Sequence, residues 1–191
     1  RGIFSCDLKH EVSLSAAGDV SLGWGGTIAL TRGKLSTAQI HIADAGLHWE
    51  GEGDITPSAD SVTRVSLDST LQVPVLDAEA LESGMALQQE GLRWSGKSFT
   101  TLKQDDSAEI EIQGAFATAS LNVVDRARAR LLASWEELEG SGFTFAQDQL
   151  QLEQLNISEL IALHPSTNPA ETEPPLARCG NIALNELRVN M

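Results

Sequence analysis

Apolar residues recur at every second position along most of the chain. Val12, Leu14 and Ala16 alternate with Glu11, Ser13 and Ser15, and Val20, Leu22 and Trp24 follow. Ile28 and Leu30 lead into a turn at Thr31-Arg32-Gly33-Lys34, after which come Ile40 and Ile42, then Leu47 and Trp49. The second half continues with Val65, Leu67, Leu71, Val73 and Val75, then Met85 and Leu87, Leu92 and Trp94, Ile110 and Ile112, Phe143 and Phe145, Leu150 and Leu152, Ile182 and Leu184. A side-chain period of two belongs to a strand, because successive side chains point to opposite faces. Short alternating runs separated by Gly, Asp, Asn and Ser predict antiparallel hairpins joined in a meander. The expected fold class is therefore all-β, a curved sheet, groove or sandwich with at most one or two short helices.

Three stretches depart from that pattern. Residues 125–139 read either as a helix capped by Asp125, with Leu131, Trp135 and Leu138 near one face, or as a strand alternating Arg126, Arg128 and Arg130 with Ala127, Ala129 and Leu131. The extended reading is favoured by the strands on both sides, since tertiary context overrides propensity. Between Leu76 and Leu87, Asp77 is placed to cap a short helical turn before Gly84. Residues 164–180 hold four prolines among mostly polar residues and predict a loop or linker, because proline cannot donate to a sheet ladder. The expected organisation is a β-meander domain over 1–163, the proline-rich loop over 164–180, and a terminal strand over 181–191 paired back onto the sheet.

A repeat runs through this pattern. Ile40-x-Ile42-x-x-x-Gly46-Leu47-x-Trp49-x-Gly51 is followed, 45 residues on, by Met85-x-Leu87-x-x-x-Gly91-Leu92-x-Trp94-x-Gly96. A single hairpin cannot bury its apolar face. Hairpins set side by side give a long sheet with one apolar face, which a second sheet, helices or a ligand must cover. Ile40, Ile42, Leu47, Trp49, Met85, Leu87, Leu92 and Trp94 are the candidate lining of that face.

Composition narrows the function. The 191 residues carry 27 Asp and Glu against 13 Lys and Arg, a net charge of −14, which argues against a nucleic-acid partner. With 41 % hydrophobic residues the chain can build a fold, and it contains no apolar run long enough for a transmembrane helix. The first residue is Arg1 and the last, Met191, follows a strand-like segment, so both ends read as cuts through a longer protein, and a membrane anchor could lie outside it. The sequence holds no nucleophile elbow, zinc-protease motif, phosphate loop or dinucleotide fingerprint. No catalytic residue, metal site or cofactor is assigned, and the expectation is a protein that is not an enzyme. His48, Glu50, Glu52 and Asp54 share one parity, a pattern read as a solvated polar face in preference to a calcium site. Cys6 and Cys179 are the candidate disulfide. Bonded, they would close nearly the whole chain and suit an oxidising compartment; two separate thiols are the alternative.

Leu150-x-Leu152-x-x-Leu155-x-Ile157-x-x-Leu160, then Pro174-Pro175-Leu176 and Ile182-x-Leu184-x-x-Leu187-x-Val189, join the two Gly-Leu-x-Trp units in a style that resembles the AsmA-like and TamB-like proteins of the Gram-negative envelope. The resemblance extends over most of the chain. It implies a repetitive periplasmic β-structure with an apolar groove, a membrane anchor elsewhere in the protein, and a part in lipid transport or outer-membrane biogenesis and maintenance. The partners it implies are phospholipid or envelope proteins. The alternative reading is a closed β-sandwich that binds a protein or carbohydrate through loops such as 170–180, in a secreted or secretion-associated protein.

Overall fold

A computed structural model describes residues 1–14, 20–57, 63–103, 107–146, 149–162 and 177–190. These form 13 strands in one sheet, and no helix occurs among the described residues. The strands are β1 (Ile3–Leu14), β2 (Val20–Thr31), β3 (Leu35–Ser36), β4 (Ile40–Ala45), β5 (Leu47–Pro57), β6 (Thr63–Ala80), β7 (Met85–Leu102), β8 (Ala108–Thr118), β9 (Ser120–Asp125), β10 (Arg130–Trp135), β11 (Glu137–Ala146), β12 (Gln149–Ala162) and β13 (Ala177–Asn190). All pairings are antiparallel. When β2 with β3, β4 with β5, β8 with β9 and β10 with β11 are each taken as one interrupted run, the chain is a simple up-and-down meander in which every run lies beside its predecessor. The all-β expectation is met.

The interruptions fall at one level across the sheet. β6 pairs with β5 up to Gln72 and with β4 from Leu76; β7 pairs with β9 up to Glu90 and with β8 from Arg93; β12 pairs with β11 up to Ser158 and with β10 from Ile161. Gly46, Pro74, Gly91, Ala119, Glu136 and Glu159 lie on this crease. Gly91 and Glu159 are left-handed there, with φ of 65° and 49°, and Pro74 brings no N–H to the ladder. Hydrogen bonds still cross the line, from Gly46 N to Val75 O at 2.9 Å, Ala119 N to Glu90 O at 3.0 Å and Glu136 N to Ser158 O at 3.1 Å. The crease divides the sheet into a wide plate, containing β1, β2, β5, β8 and β11, and a narrow plate, containing β3, β4, β9 and β10. β6, β7, β12 and β13 run through both.

Every run slips by one residue near the crease, as at a β-bulge. In β7 the apolar positions are Met85 and Leu87 in the narrow plate but Leu92 and Trp94 in the wide one. In β6 they change from Leu71 and Val73 to Leu76 and Ala78. Trp135 of the narrow plate donates its Nε1–H to Thr118 Oγ1 of the wide plate at 3.2 Å, so the two apolar sets share one side. Without the slip, half of the apolar residues would cross to the other face.

The sheet is a single layer. Ala86 at 2 % and Leu152 at 5 % exposure are the buried apolar residues, and no large side chain is fully buried among those described. The chain exposes 12573 Å², against about 8,800 Å² for a compact protein of 20.4 kDa. A sandwich would show a second sheet facing the first and a sealed core; neither is present among the described residues.

Four local expectations are corrected. Residues 125–139 are neither one helix nor one strand: β9 ends at Asp125, residues 126–129 turn, and β10 and β11 follow. Asp125 does cap, accepting the Arg128 N–H at 3.0 Å, but it caps a turn between strands. The helical turn expected after Asp77 is strand: β6 runs to Ala80 and a turn over 81–84 leads into β7. The last strand starts at Ala177 and not at 181, because residues 177–179 keep their ladder with β12 through Ala162↔Ala177 and Leu160↔Cys179. Cys6 and Cys179 are free thiols. They stand on the outermost strands, β1 and β13, eight strand-to-strand steps of about 4.8 Å apart along the sheet, far beyond disulfide reach. The proline-rich stretch itself, 163–176, lies outside the described residues.

Candidate functional site

Across the wide plate the registers align Cys6, Ile28, Trp49, Leu71, Trp94, Phe116, Gly140, Leu155 and Leu184 in one transverse row. A second row holds His10, Trp24, Gly53, Leu67, Ser98, Ile112, Phe145, Leu150 and Val189 on the same side. Residues directly opposite one another on antiparallel strands touch through their side chains, so the alternating runs merge into one continuous apolar face.

Between these rows lies a row of small residues, Gly26, Gly51, Ser69, Gly96 and Gly114. The large rings lie down on it. A Cβ placed on Gly51 would come 2.6 Å from Trp49 Cζ2, one on Gly96 2.7 Å from Trp94 Cζ2, and one on Gly114 2.8 Å from Trp94 Cη2. Gly53, opposite Trp24, would meet that ring at 2.5 Å, and Gly140, opposite Phe116, would meet that phenyl ring closer still. An aromatic ring laid on bare backbone covers peptide groups that glycine leaves open. Trp94 and Phe143 then meet edge to face, with centroids 5.6 Å apart at 84°, and Phe143 meets Phe116 in the same way at 6.4 Å and 81°. The two Trp-x-Gly units of the repeat have this common cause: the ring needs a glycine two residues on. Their earlier glycines, Gly46 and Gly91, both sit on the crease.

The eight residues singled out in the sequence divide between the plates. Leu47, Trp49, Leu92 and Trp94 are on the wide plate; Ile40, Ile42, Met85 and Leu87 are on the narrow one. Ile40 is 46 % exposed and the other seven are half-buried. The candidate lining left out the aromatic cluster of Phe116, Phe143 and Phe145, Trp24 on its glycine, and the exposed apolar margin of β1. Phe143 and Phe145 keep one parity, but Gly142, with φ of 64°, shifts the register of β11 just before them, so their parity does not show that they share a face with Leu138 and Gly140.

The opposite face is polar. His48, Glu50, Glu52 and Asp54 line β5 there, and Asp54 accepts hydrogen bonds from Ser66 and from Thr56. Lys97 reaches Asp68 at 3.1 Å. A shallow depression of about 550 Å³ opens among Lys9, Glu11, Glu52, Asp68 and Lys97, and another of about 400 Å³ among Gln72, Arg93, Ala115, Ala117 and Gln154. Among the described residues no group of three or more His, Cys, Asp or Glu is placed to hold a metal ion. The two hollows open on this polar face, while the apolar face is a surface filled by its own rings.

In the narrow plate Arg126 reaches across β7 to Asp77 at 2.5 Å and Glu79 at 3.0 Å. Ala86, which stands between Glu79 and Val124 in the sheet, is buried along that path. Arg128 bonds to Asp125 at 2.6 Å and holds its carboxyl below the usual value of 3.8. Gln89 is 5 % exposed and donates Nε2–H to Val73 O at 3.4 Å, while its Oε1 has no protein partner.

No helix among the described residues is long and apolar enough to cross a membrane. Comparison with known proteins finds no family model, no curated protein and no solved structure that matches the chain.

Proposed function

We propose that the chain is a non-catalytic segment of a periplasmic β-groove that shields phospholipid acyl chains in a Gram-negative envelope. The observation that carries this reading is the continuous apolar face of a single-layered sheet, with no second layer over it among the described residues. Covering a further 100 Å² of such a face is worth about 2.5 kcal/mol. Acyl chains supply that cover without directional bonding, which suits a face built from Leu, Ile, Trp and Phe. The mechanism is passive: hydrocarbon replaces water against Leu47, Trp49, Leu92, Trp94 and their neighbours, while the acidic face stays in solvent.

The test is extraction of the purified protein with organic solvent and mass spectrometry for phospholipid. The expected result is copurified phospholipid, a blue shift of tryptophan emission on adding phospholipid to delipidated protein, and loss of both in Leu92→Glu. Thr70→Glu, on the polar face, keeps both. Repeated absence of lipid together with unchanged emission would sink the proposal.

A further inference from the structure

β1 is one margin of the sheet, and among the described residues β2 alone pairs with it. The pairing runs without a register shift from Ile3↔Thr31 to Leu14↔Val20. The strand is therefore regular and 12 residues long, every residue is exposed, and no described strand pairs with its outer N–H and C=O groups. Phe4 is 67 % exposed, Leu8 55 % and Val12 65 %. Edge strands are usually protected from pairing with another chain by a proline, a bulge, a short length or charged side chains; β1 has no proline or bulge and is long, and the charges it carries, Asp7, Lys9 and Glu11, alternate in sign. The opposite margin is different: β13 is continuous, but its backbone turns left-handed at Glu186, whose φ is 56°. The chain as a whole carries −14, yet in β1 Asp7 and Glu11 flank Lys9, so this margin is close to balanced.

We propose that β1 is a self-association edge, on which β1 of a second copy pairs antiparallel with Leu8 opposite Leu8. The strand's own sequence selects that register. Apolar faces stay on one side only in registers that pair even-numbered residues with even and odd with odd. The register centred on Leu8 sets Asp7 against Lys9 of the second copy, twice by symmetry. It sets Phe4 against Val12 in the same way and engages residues 3–13 of both strands. Centring on Asp7 places Asp7 on Asp7. Centring on Lys9 places Lys9 on Lys9 and Asp7 on Glu11. Centring on His10 pairs Lys9 with Glu11 but engages only residues 6–14. The Leu8 register gives a closed twofold interface, which uses the same patch on both copies. The apolar face then continues across the dimer.

Sedimentation equilibrium on the purified chain tests this with Asp7→Lys, Lys9→Asp and the double variant. The wild type is expected to be a dimer. Each single substitution sets like charges opposite one another at both symmetric positions and raises the dimer dissociation constant about tenfold or more. The double variant restores it. These residues lie exposed at the margin, so folding is not at stake. With Cys6→Ser and Cys179→Ser in place and oxidised glutathione as oxidant, Leu8→Cys is expected to give a disulfide-linked dimer, because facing Cα atoms in an antiparallel pair are about 4.5–5.5 Å apart. Val12→Cys gives none. A wild type that stays monomeric at all concentrations, a mass that grows beyond two copies by pairing β1 on β13, a double variant without rescue, or equal cross-linking at both positions overturns the proposal. None of these readouts needs lipid, so this inference and the lipid reading fail separately.

Discussion

Below the crease, Trp24, Trp49, Trp94 and Phe116 lie on glycines, and the sheet covers its own backbone with rings. Above it, the facing positions are Ala78, Leu87, Val123 and Ala133, and Arg126 and Arg128 tie the turn over 126–129 to Asp77, Glu79 and Asp125. One sheet thus stabilises a single layer in two ways. The wide plate depends on shape, because a ring and a glycine must fit. The narrow plate depends on charge at the surface, where screening by water and salt limits what each pair contributes.

The largest effect is expected where shape is strictest. Gly96→Ala drives a Cβ into the Gln113 carbonyl oxygen and to 2.7 Å from the Trp94 ring, and should cost about 3 kcal/mol, read as a lower urea midpoint. Gly180→Ala, whose nearest neighbour would be Glu159 Oε1 at 3.9 Å, is the control and should cost far less. Gly180 lies opposite Glu159 on the crease, where no ring rests on it, so equal losses at the two sites would show that the ring seat at Gly96 has no special steric demand. Next comes Trp94→Leu, which strips cover from Gly96 and Gly114 and the edge contact to Phe143; about 2 kcal/mol is expected for a half-buried ring.

Smaller effects belong to the narrow plate. Arg126→Met removes two partly exposed ion pairs and should cost about 1 kcal/mol at low salt. In 1 M salt the gap between wild type and variant should shrink, whereas the loss in Trp94→Leu should not. The Asp125 carboxyl is more acidic in the folded chain than its usual 3.8 because Arg128 bonds to its charged form. Its contribution is therefore full above about pH 4 and is lost as pH falls through the lower folded value. Protection of the Arg128 amide from hydrogen exchange, relative to its intrinsic rate at the same pH, should fall in that acid range, and Asp125→Asn should abolish the change. The smallest effect is Gln89→Leu, which removes the orphaned Oε1 and should leave stability within about 1 kcal/mol, on the stabilising side.

The alternation of apolar and polar residues was enough to read the meander, because a half-covered strand writes its two faces directly into the sequence. The crease was harder to see. Its trace is the change of parity between Ile42 and Leu47, and between Leu87 and Leu92, which a run-by-run reading passes over. The stretch over 125–139 misled for a related reason: a four-residue turn and a break at Glu136 cut it into pieces too short to show a period. Asp77 reads as a helix cap only while its partner, Arg126, is unknown, and that partner is 49 residues away. The eight candidate apolar residues were legible by parity. The glycine seats were visible as Trp-x-Gly spacings, but their purpose is steric and needs three dimensions.

The rings that rest on glycine have a consequence for how such a protein can vary in size. A barrel fixes its strand number by closure, and a sandwich by the match of its two halves. Here each pair of runs brings its own aromatic cover, so no geometric count has to be satisfied. Duplication of one such unit, 45 residues in the two that are recognisable, would lengthen the ribbon without redesigning what lies on either side.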